Sequence, residues 1–128
     1  MESPNVKLSK VAAIMLGVSD LDKSTAFYRD QLGFALQQHI PNDFSFFDGG
    51  GMMLILSLPH SKLYGGAKPG SMEVVFGVQD VMSAYESLRA RGIQFKKEPR
   101  VVNGPMWAAN FDDPDGHHLS IFGPNKKV

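Results

Sequence analysis

Residues Ile14–Leu21, with the sequence IMLGVSDL, are matched further along the chain by Val74–Val81, with the sequence VVFGVQDV. A glycine, a valine and an aspartate stand at the same places in both stretches. Internal duplication is the simplest explanation of such a match. In each copy a short β-forming run ends at an aspartate, whose carboxylate can accept hydrogen bonds from the first amides of a helix. The repeat therefore predicts a strand followed by a helix in each half of the chain.

Helical patterns follow the aspartate in both halves. Over Val81–Leu88 the apolar residues recur at the spacing of one helix face, and Gly92 stands where such a helix would end in a left-handed conformation. Leu21–Leu32 has the same spacing and is followed by Gly33. Each half therefore contains one predicted helix, placed directly after its first strand.

Three further β-like runs follow each predicted helix, with turn-forming residues at Asp48–Gly51 in the first half and Asp113–Gly116 in the second. The predicted fold class is therefore α+β, with two tandem βαβββ modules in a single domain. Module one lies at about 8–60, a linker at about 60–71 with the boundary near Gly70, and module two at about 72–124. The predicted runs are Phe34–Ile40, Phe44–Phe47, Met52–Leu58, Ile93–Lys97, Trp107–Phe111 and His118–Phe122.

The composition argues against several classes of protein. The chain has 128 residues, 13 of them basic and 13 acidic, and no cysteine. Balanced charge gives no electrostatic support for a nucleic-acid or membrane-surface partner, and the lack of cysteine removes disulfides, thiol catalysis and cysteine-bound zinc. Apolar runs such as Met52–Leu56 are far shorter than the roughly 20 residues that cross a bilayer, and Met1–Lys10 lacks a signal-peptide run. A cytoplasmic location without nucleic-acid or membrane partners is expected.

Several short, separated sequence motifs resemble those of one protein family. They are Val18–Leu21 (VSDL), Phe27–Asp30 (FYRD), Leu32–Phe34 (LGF), Arg91–Ile93 (RGI) and Asp113–Gly116 (DPDG). Together with the duplication, they resemble the vicinal oxygen chelate superfamily, which includes glyoxalases, bleomycin resistance proteins and extradiol dioxygenases. The resemblance implies that two curved mixed sheets form a cup-like pocket. It leaves the function open, because this scaffold serves both enzymes and drug-sequestering proteins.

The resemblance also implies a place for a divalent metal ion, which acts as a Lewis acid on substrate oxygens in the metal-dependent members. One ligand comes from the first strand and one from the last strand of each module. Carried over by position, these places fall at Ala13 and Glu73 on the first strands and at Ile55 and Ser120 on the last strands. Only Glu73 is a strong metal ligand, and a single carboxylate cannot hold such an ion tightly. No metal cofactor is therefore expected, although Glu73 with His118 could form a displaced site.

Without a metal, the cup becomes a candidate pocket for an organic molecule. Side chains alternate between the two faces of a strand. Residues two positions away from the four metal positions therefore face the same side of the sheet as those positions do. Trp107 could add a flat stacking surface, and its alternative role is a core or dimer-interface tryptophan. The predicted pocket consists of Ala13, Met15, Phe46, Met53, Ile55, Val75, Trp107, Ser120 and Phe122.

Glu73 and His118 are the candidate catalytic residues. In an apolar cup, desolvation would raise the pKa of Glu73 and suit it to general acid or base chemistry. The alternative is a carboxylate that pairs with a basic side chain or faces solvent. His118 is the weaker candidate, as an acid or base partner of Glu73. His117 would point to the opposite face of the strand and could not share an ion with it.

Two functional hypotheses follow. The favoured one is a metal-independent protein that binds a small, mostly apolar organic ligand, similar to the drug-sequestering branch of the superfamily. The alternative is an enzyme, either a glyoxalase-like lyase or isomerase or a dioxygenase-related protein, which works without metal through Glu73 or has displaced metal ligands. The resemblance also implies a homodimer.

Overall fold

The structure, a computed structural model, describes residues 8–64 and 72–127. Its first half consists of β1 (Ala13–Gly17), α1 (Leu21–Ala26) with a π-helical continuation (Phe27–Gln31), β2 (Leu36–Ile40), β3 (Phe44–Asp48), β4 (Met53–Ser57) and α2 (Leu58–Tyr64). Its second half consists of β5 (Glu73–Gly77), α3 (Val81–Ala90), β6 (Phe95–Asn103), β7 (Met106–Asp112) and β8 (His118–Pro124). The predicted α+β fold with two tandem βαβββ modules is confirmed. The predicted boundary near Gly70 lies outside the described residues.

Each module forms one four-stranded mixed sheet. Sheet one has the order β1-β4-β3-β2 and sheet two the order β5-β8-β7-β6. In both sheets the first strand pairs in parallel with the last strand, and the remaining pairs are antiparallel. The first strand of each module is therefore an edge strand with one unpaired side.

The residues that begin and end the two main helices have the predicted conformations, with one difference. The Asp20 carboxylate accepts a hydrogen bond from the Lys23 amide at 3.1 Å and so caps α1. Asp80, before α3, instead accepts from the Ser83 hydroxyl at 2.6 Å and from the Lys126 amide at 3.0 Å. Gly33 and Gly92 both have positive φ, at 85° and 93°, as expected where a helix ends at glycine.

Two elements differ from the prediction. Helix α2 occupies residues that were assigned to the linker, and it begins where the Ser57 hydroxyl accepts a hydrogen bond from the His60 amide at 2.9 Å. Ser57 and the following Pro59 are a typical pair at a helix start, and this signal was available in the sequence. Strand β6 continues to Asn103, well beyond the predicted end at Lys97, because it pairs with the whole of β7. Within residues 8–64 and 72–127, no helix has the length and apolar character needed to cross a membrane.

The two modules share one hydrophobic core on the helix-bearing sides of their sheets. Tyr28, which is fully buried, donates its hydroxyl hydrogen to Asp113 at 2.9 Å. The rings of Phe34 and Phe76 lie 5.1 Å apart across the same junction. The His117 Nε2 atom lies 2.7 Å from the Gly17 carbonyl oxygen. Because side chains alternate along a strand, the opposite face of each sheet points away from this core.

Candidate functional site

We call the side of sheet one that lies away from α1, and the side of sheet two that lies away from α3, the cup face of that sheet. On sheet one, the register pairs Ala13 with Met53 and Met15 with Ile55. Phe46 of β3 pairs with Ile55 and lies on the same face. This cup face is apolar at every one of these positions. Met15, on the edge strand, is 41% exposed, so a single chain leaves the surface open to solvent.

Aromatic rings and helix α2 border the cup face of sheet one. The rings of Phe44 and Phe46 lie 5.9 Å apart. Gly17 ends β1 on this face, and a Cβ atom there would lie only 3.1 Å from the Ser61 amide nitrogen. The absence of a side chain at Gly17 therefore lets α2 pack against the end of β1.

The cup face of sheet two carries polar side chains at several positions where that of sheet one is apolar. Glu73 pairs with His118, and Val75 pairs with Ser120. The Ser120 hydroxyl donates to Glu73 Oε2 at 2.9 Å, and the Asn110 side-chain amide donates to Glu73 Oε1 at 3.2 Å. Ser120 is 2% exposed, whereas Glu73 is exposed. The sequence indicated apolar surroundings for Glu73, but its carboxylate is open to solvent and accepts hydrogen bonds from two side chains.

Asn110 was not identified from the sequence. Its Oδ1 atom is buried and lacks a hydrogen-bond partner in the described part of the chain. Such buried acceptors are uncommon in folded proteins. Asn110 pairs with Ser120 across β7 and β8, so it follows from the cup-face parity once this register is known. The register depends on pairing between distant residues, which the sequence pattern does not specify.

A second set of polar side chains, centred on Asp112, lies on the same cup face as Glu73. His118 Nδ1 lies 2.9 Å from Asp112 Oδ1, and Lys96 Nζ lies 2.7 Å from Asp112 Oδ2. Burial by itself would raise the pKa of Asp112, but the hydrogen bonds and charges of Lys96 and His118 lower it overall. Asp112 is therefore a carboxylate at neutral pH. His117 points to the other face, toward Gly17, as the alternation of side chains requires.

The prediction that Trp107 lines the cup is wrong. Trp107 alternates with Ala108 and shares the face of Ala109, which is fully buried in the common core. It borders a cavity of about 470 Å³ beside α3, together with Met82 and Tyr85. The core alternative for this tryptophan is the one that the structure supports. Phe122 has the parity of Ser120 and His118 and lies on the cup face.

Comparison with known proteins identifies the family. The sequence model described as "Glyoxalase/Bleomycin resistance protein/Dioxygenase superfamily" matches residues 10–121. The chain belongs to this superfamily. It is 30% identical to a probable lactoylglutathione lyase of Synechocystis sp., over 88% of this chain and 94% of the relative. It is also 30% identical to a lactoylglutathione lyase of Haemophilus influenzae, over 84% of this chain and 87% of the relative.

Two solved structures illustrate that the fold is shared with known proteins. A glyoxalase/bleomycin resistance protein/dioxygenase from Nocardioides superposes with a TM-score of 0.75 at 27% identity, over 97% of this chain and 89% of the other. An antibiotic-binding protein from Streptomyces superposes with a TM-score of 0.73 at 25% identity, over 94% of this chain and 100% of the other. These structures extend the likeness along nearly the whole chain.

The residues at the superfamily's metal positions do not fit a divalent ion. Ala13 and Ile55 carry no donor atom, and the Ser120 hydroxyl hydrogen is directed to Glu73. Among residues 8–64 and 72–127, no group of three or more histidine, aspartate or glutamate side chains could hold a metal ion. A tightly bound ion requires three or four such ligands. The prediction of a metal-independent site stays open to experiment.

Proposed function

We propose that this member of the superfamily binds a small organic ligand against its cup faces without a divalent metal. The observation that carries the proposal is the bonding of Glu73. Its two carboxylate oxygens accept hydrogen bonds from Ser120 and Asn110, and no other strong ligand type stands at the metal positions. A carboxylate arranged in this way is suited to a polar contact with an organic molecule.

The chemistry of the two cup faces favours a ligand with an apolar body and one polar end. Met15 and Phe46 offer an apolar and aromatic surface on sheet one, where Ile55, paired with both, is only 8% exposed. Glu73 and its neighbours offer polar contacts on sheet two. Pockets for small molecules commonly combine apolar walls with a few such polar groups. The likeness to the Streptomyces antibiotic-binding protein supports a small organic ligand.

We also propose that the chain forms a homodimer. The edge strands β1 and β5 each have an unpaired side, and Met15 and Val75 on them are 41% and 52% exposed. A second copy could cover these apolar side chains and complete the wall of the pocket. Sedimentation velocity should give about twice the mass of the chain, and Val75→Lys should shift it toward the monomer. A monomer across the micromolar range would contradict this part of the proposal.

A lyase or isomerase is the second candidate function. The two lactoylglutathione lyases among the relatives favour it, and so does one feature of the site. Glu73 and His118 lie in register on adjacent strands, where two proton-carrying groups could act on one substrate. In this case Glu73→Gln should abolish turnover and leave substrate affinity nearly unchanged.

The test begins with protein purified without a metal-affinity step. We expect no stoichiometric metal, and no tight binding when zinc, nickel, manganese and iron(II) are titrated in a calorimeter. The same metal-free protein is then screened against amphipathic metabolites and antibiotics, with Glu73→Gln as the site variant and Glu98→Gln, an exposed carboxylate of β6, as the control. A ligand whose affinity falls only in Glu73→Gln supports the proposal. A tightly bound stoichiometric ion would overturn it.

A further inference from the structure

A carboxylate holds the ring of His118 on the cup face of sheet two. His118 Nδ1 lies 2.9 Å from Asp112 Oδ1, and the other oxygen of Asp112 accepts from Lys96 at 2.7 Å. The side chain of Asp112 is 16% exposed, and that of His118 is 33% exposed. The ring is thus restrained at one nitrogen but remains accessible to a molecule in the cup.

The protonation of the ring follows from its partner. An ionised carboxylate can only accept a hydrogen bond, and although burial acts to raise the pKa of Asp112, the hydrogen bond and charge of Lys96 contribute to lowering it below its usual value. In neutral His118 the hydrogen therefore resides on Nδ1, and Nε2 carries the lone pair. Within the described residues, no hydrogen-bond partner lies at Nε2 of His118. In neutral His118, the hydrogen bond to Asp112 therefore leaves Nε2 as a hydrogen-bond acceptor.

The neighbouring groups of the cup face are also acceptors. The hydroxyl hydrogen of Ser120 and one amide hydrogen of Asn110 are used on Glu73. Each oxygen of the exposed Glu73 carboxylate retains lone pairs, because an ionised carboxylate has about four acceptor sites. A ligand at this surface therefore meets oxygen and nitrogen lone pairs and two carboxylates, of which that of Asp112 is paired with the Lys96 ammonium.

We infer that Asp112 is a positioning residue that presents His118 Nε2 as an acceptor, so that the site selects ligands bearing a hydroxyl, enol or amine hydrogen over carboxylates. This inference rests on the proposed ligand-binding function and specifies its ligand class. A ligand carboxylate would bring a like charge next to Glu73, whose hydrogen-bond partners Asn110 and Ser120 are neutral, and would find no hydrogen at Nε2 of neutral His118. A phenol or an amine would donate a hydrogen bond to the same atom.

The internal duplication supplies a matched control. Asp48 pairs with Met53 in sheet one as Asp112 pairs with His118 in sheet two. Asp48 accepts a hydrogen bond from the Gly50 amide at 2.9 Å and has no histidine opposite it. Asp48→Ala therefore removes an aspartate at the equivalent position without changing the group that would contact the ligand.

The experiment uses the full chain and three probes with one apolar body: a naphthol, a naphthylmethylamine and a naphthoate. Affinities are measured by calorimetry at about pH 8, where an ordinary imidazole is neutral. In the unsubstituted protein, the naphthol and the amine should bind about tenfold more tightly than the naphthoate. Asp112→Ala should reduce this preference to about threefold or less, and Asp48→Ala should leave it unchanged. Asp112→Asn provides a second variant that keeps the side-chain shape.

A spectroscopic measurement separates positioning from general damage to the site. The ring nitrogen shifts of His118 in ¹⁵N-labelled protein should show hydrogen on Nδ1, and in Asp112→Ala they should move toward the form with hydrogen on Nε2. Unchanged shifts in that variant, or a preference for naphthoate in the unsubstituted protein, would overturn the inference alone. Failure of all three probes to bind would overturn the proposed binding function together with it.

Discussion

On the helix side, the two sheets carry the same kind of residue at corresponding positions. Leu54 and Leu56 of β4 correspond in register to Leu119 and Ile121 of β8. All four are at most 3% exposed and belong to the common core. The duplicated halves have therefore kept the apolar positions that stabilise the fold.

On the cup side, the same two strands carry different chemistry. Met53 and Ile55 of β4 correspond to His118 and Ser120 of β8. These cup positions do not form the shared core, so their residues can change while the packing of the helices is preserved. The comparison separates the residues that maintain the scaffold from those that give module two its polar site.

The largest expected effect tests the helix side of this comparison. Leu119→Ala and Leu54→Ala should each lower the free energy of unfolding by roughly 2–5 kcal/mol, because both remove a buried side chain and leave a cavity. Val75→Ala, at an exposed cup position, should cost less than about 1 kcal/mol. Urea unfolding followed by circular dichroism measures all three. Equal losses at the three positions would contradict the division into two faces.

The junction between the modules gives the next largest effect. Tyr28→Phe removes the hydrogen bond that the buried tyrosine donates to Asp113 at 2.9 Å and should cost about 1–3 kcal/mol. Burial, with the nearby Asp113 carboxylate, raises the pKa of Tyr28 well above its ordinary value, so the phenol stays a donor at neutral and mildly alkaline pH. Urea unfolding measures the loss. Tyr85→Phe, in α3, is the control and should change stability little.

Much of the fold followed from the sequence because local signals agreed with each other. The repeat at Ile14–Leu21 and Val74–Val81 specified both strand-helix pairs, and turn residues separated the remaining strands. Helix α2 was missed although Ser57 and Pro59 signalled its start, because the surrounding segment was interpreted as a linker. The family could therefore be predicted from local sequence motifs.

The site was harder to predict from the sequence, because it depends on the register between strands that are distant along the chain. Glu73 and Ser120 could be placed on one face from the alternation of their own strands. Asn110 and Asp112 reach the same face only through the pairing of β7 with β8, and the same pairing turns Trp107 toward α3. Within β7, Trp107, Ala109 and Phe111 are all apolar, whereas Asn110 and Asp112 on the other face are polar. Alternation therefore separates the two faces of β7, but only the pairing with β8 shows that the polar face is the one that carries Ser120.

A smaller effect tests the polar contact that distinguishes sheet two. Ser120→Ala removes the hydroxyl that donates to Glu73 at 2.9 Å and should cost about 0.5–1.5 kcal/mol, since exposed Glu73 can still bond to water. A double-mutant cycle with Glu73→Ala isolates the interaction, because alanine has no side-chain acceptor. A coupling energy indistinguishable from zero would show that the two side chains do not stabilise each other.

The smallest expected effect is a difference between Asp112 and Asp113 in how their contributions to stability depend on pH. The pKa of Asp112 is lowered in the folded chain, so its contribution to stability is present above the ordinary value of 3.8 and is lost as the pH falls through the folded pKa. Asp112→Asn should therefore cost at most about 1 kcal/mol at pH 7, as is typical of partly exposed ion pairs, and less in acid.

Asp113 should behave in the opposite way. Burial raises its pKa, against the opposing effects of His117 and of its hydrogen bonds, so its contribution is present below 3.8 and is lost as the pH rises through the folded pKa. Urea unfolding of Asp112→Asn and Asp113→Asn at several pH values between 3 and 7 compares them. The cost of Asp112→Asn should shrink toward acid, whereas that of Asp113→Asn should grow. Parallel pH profiles would mean that Asp112 and Asp113 do not lie in different electrostatic environments.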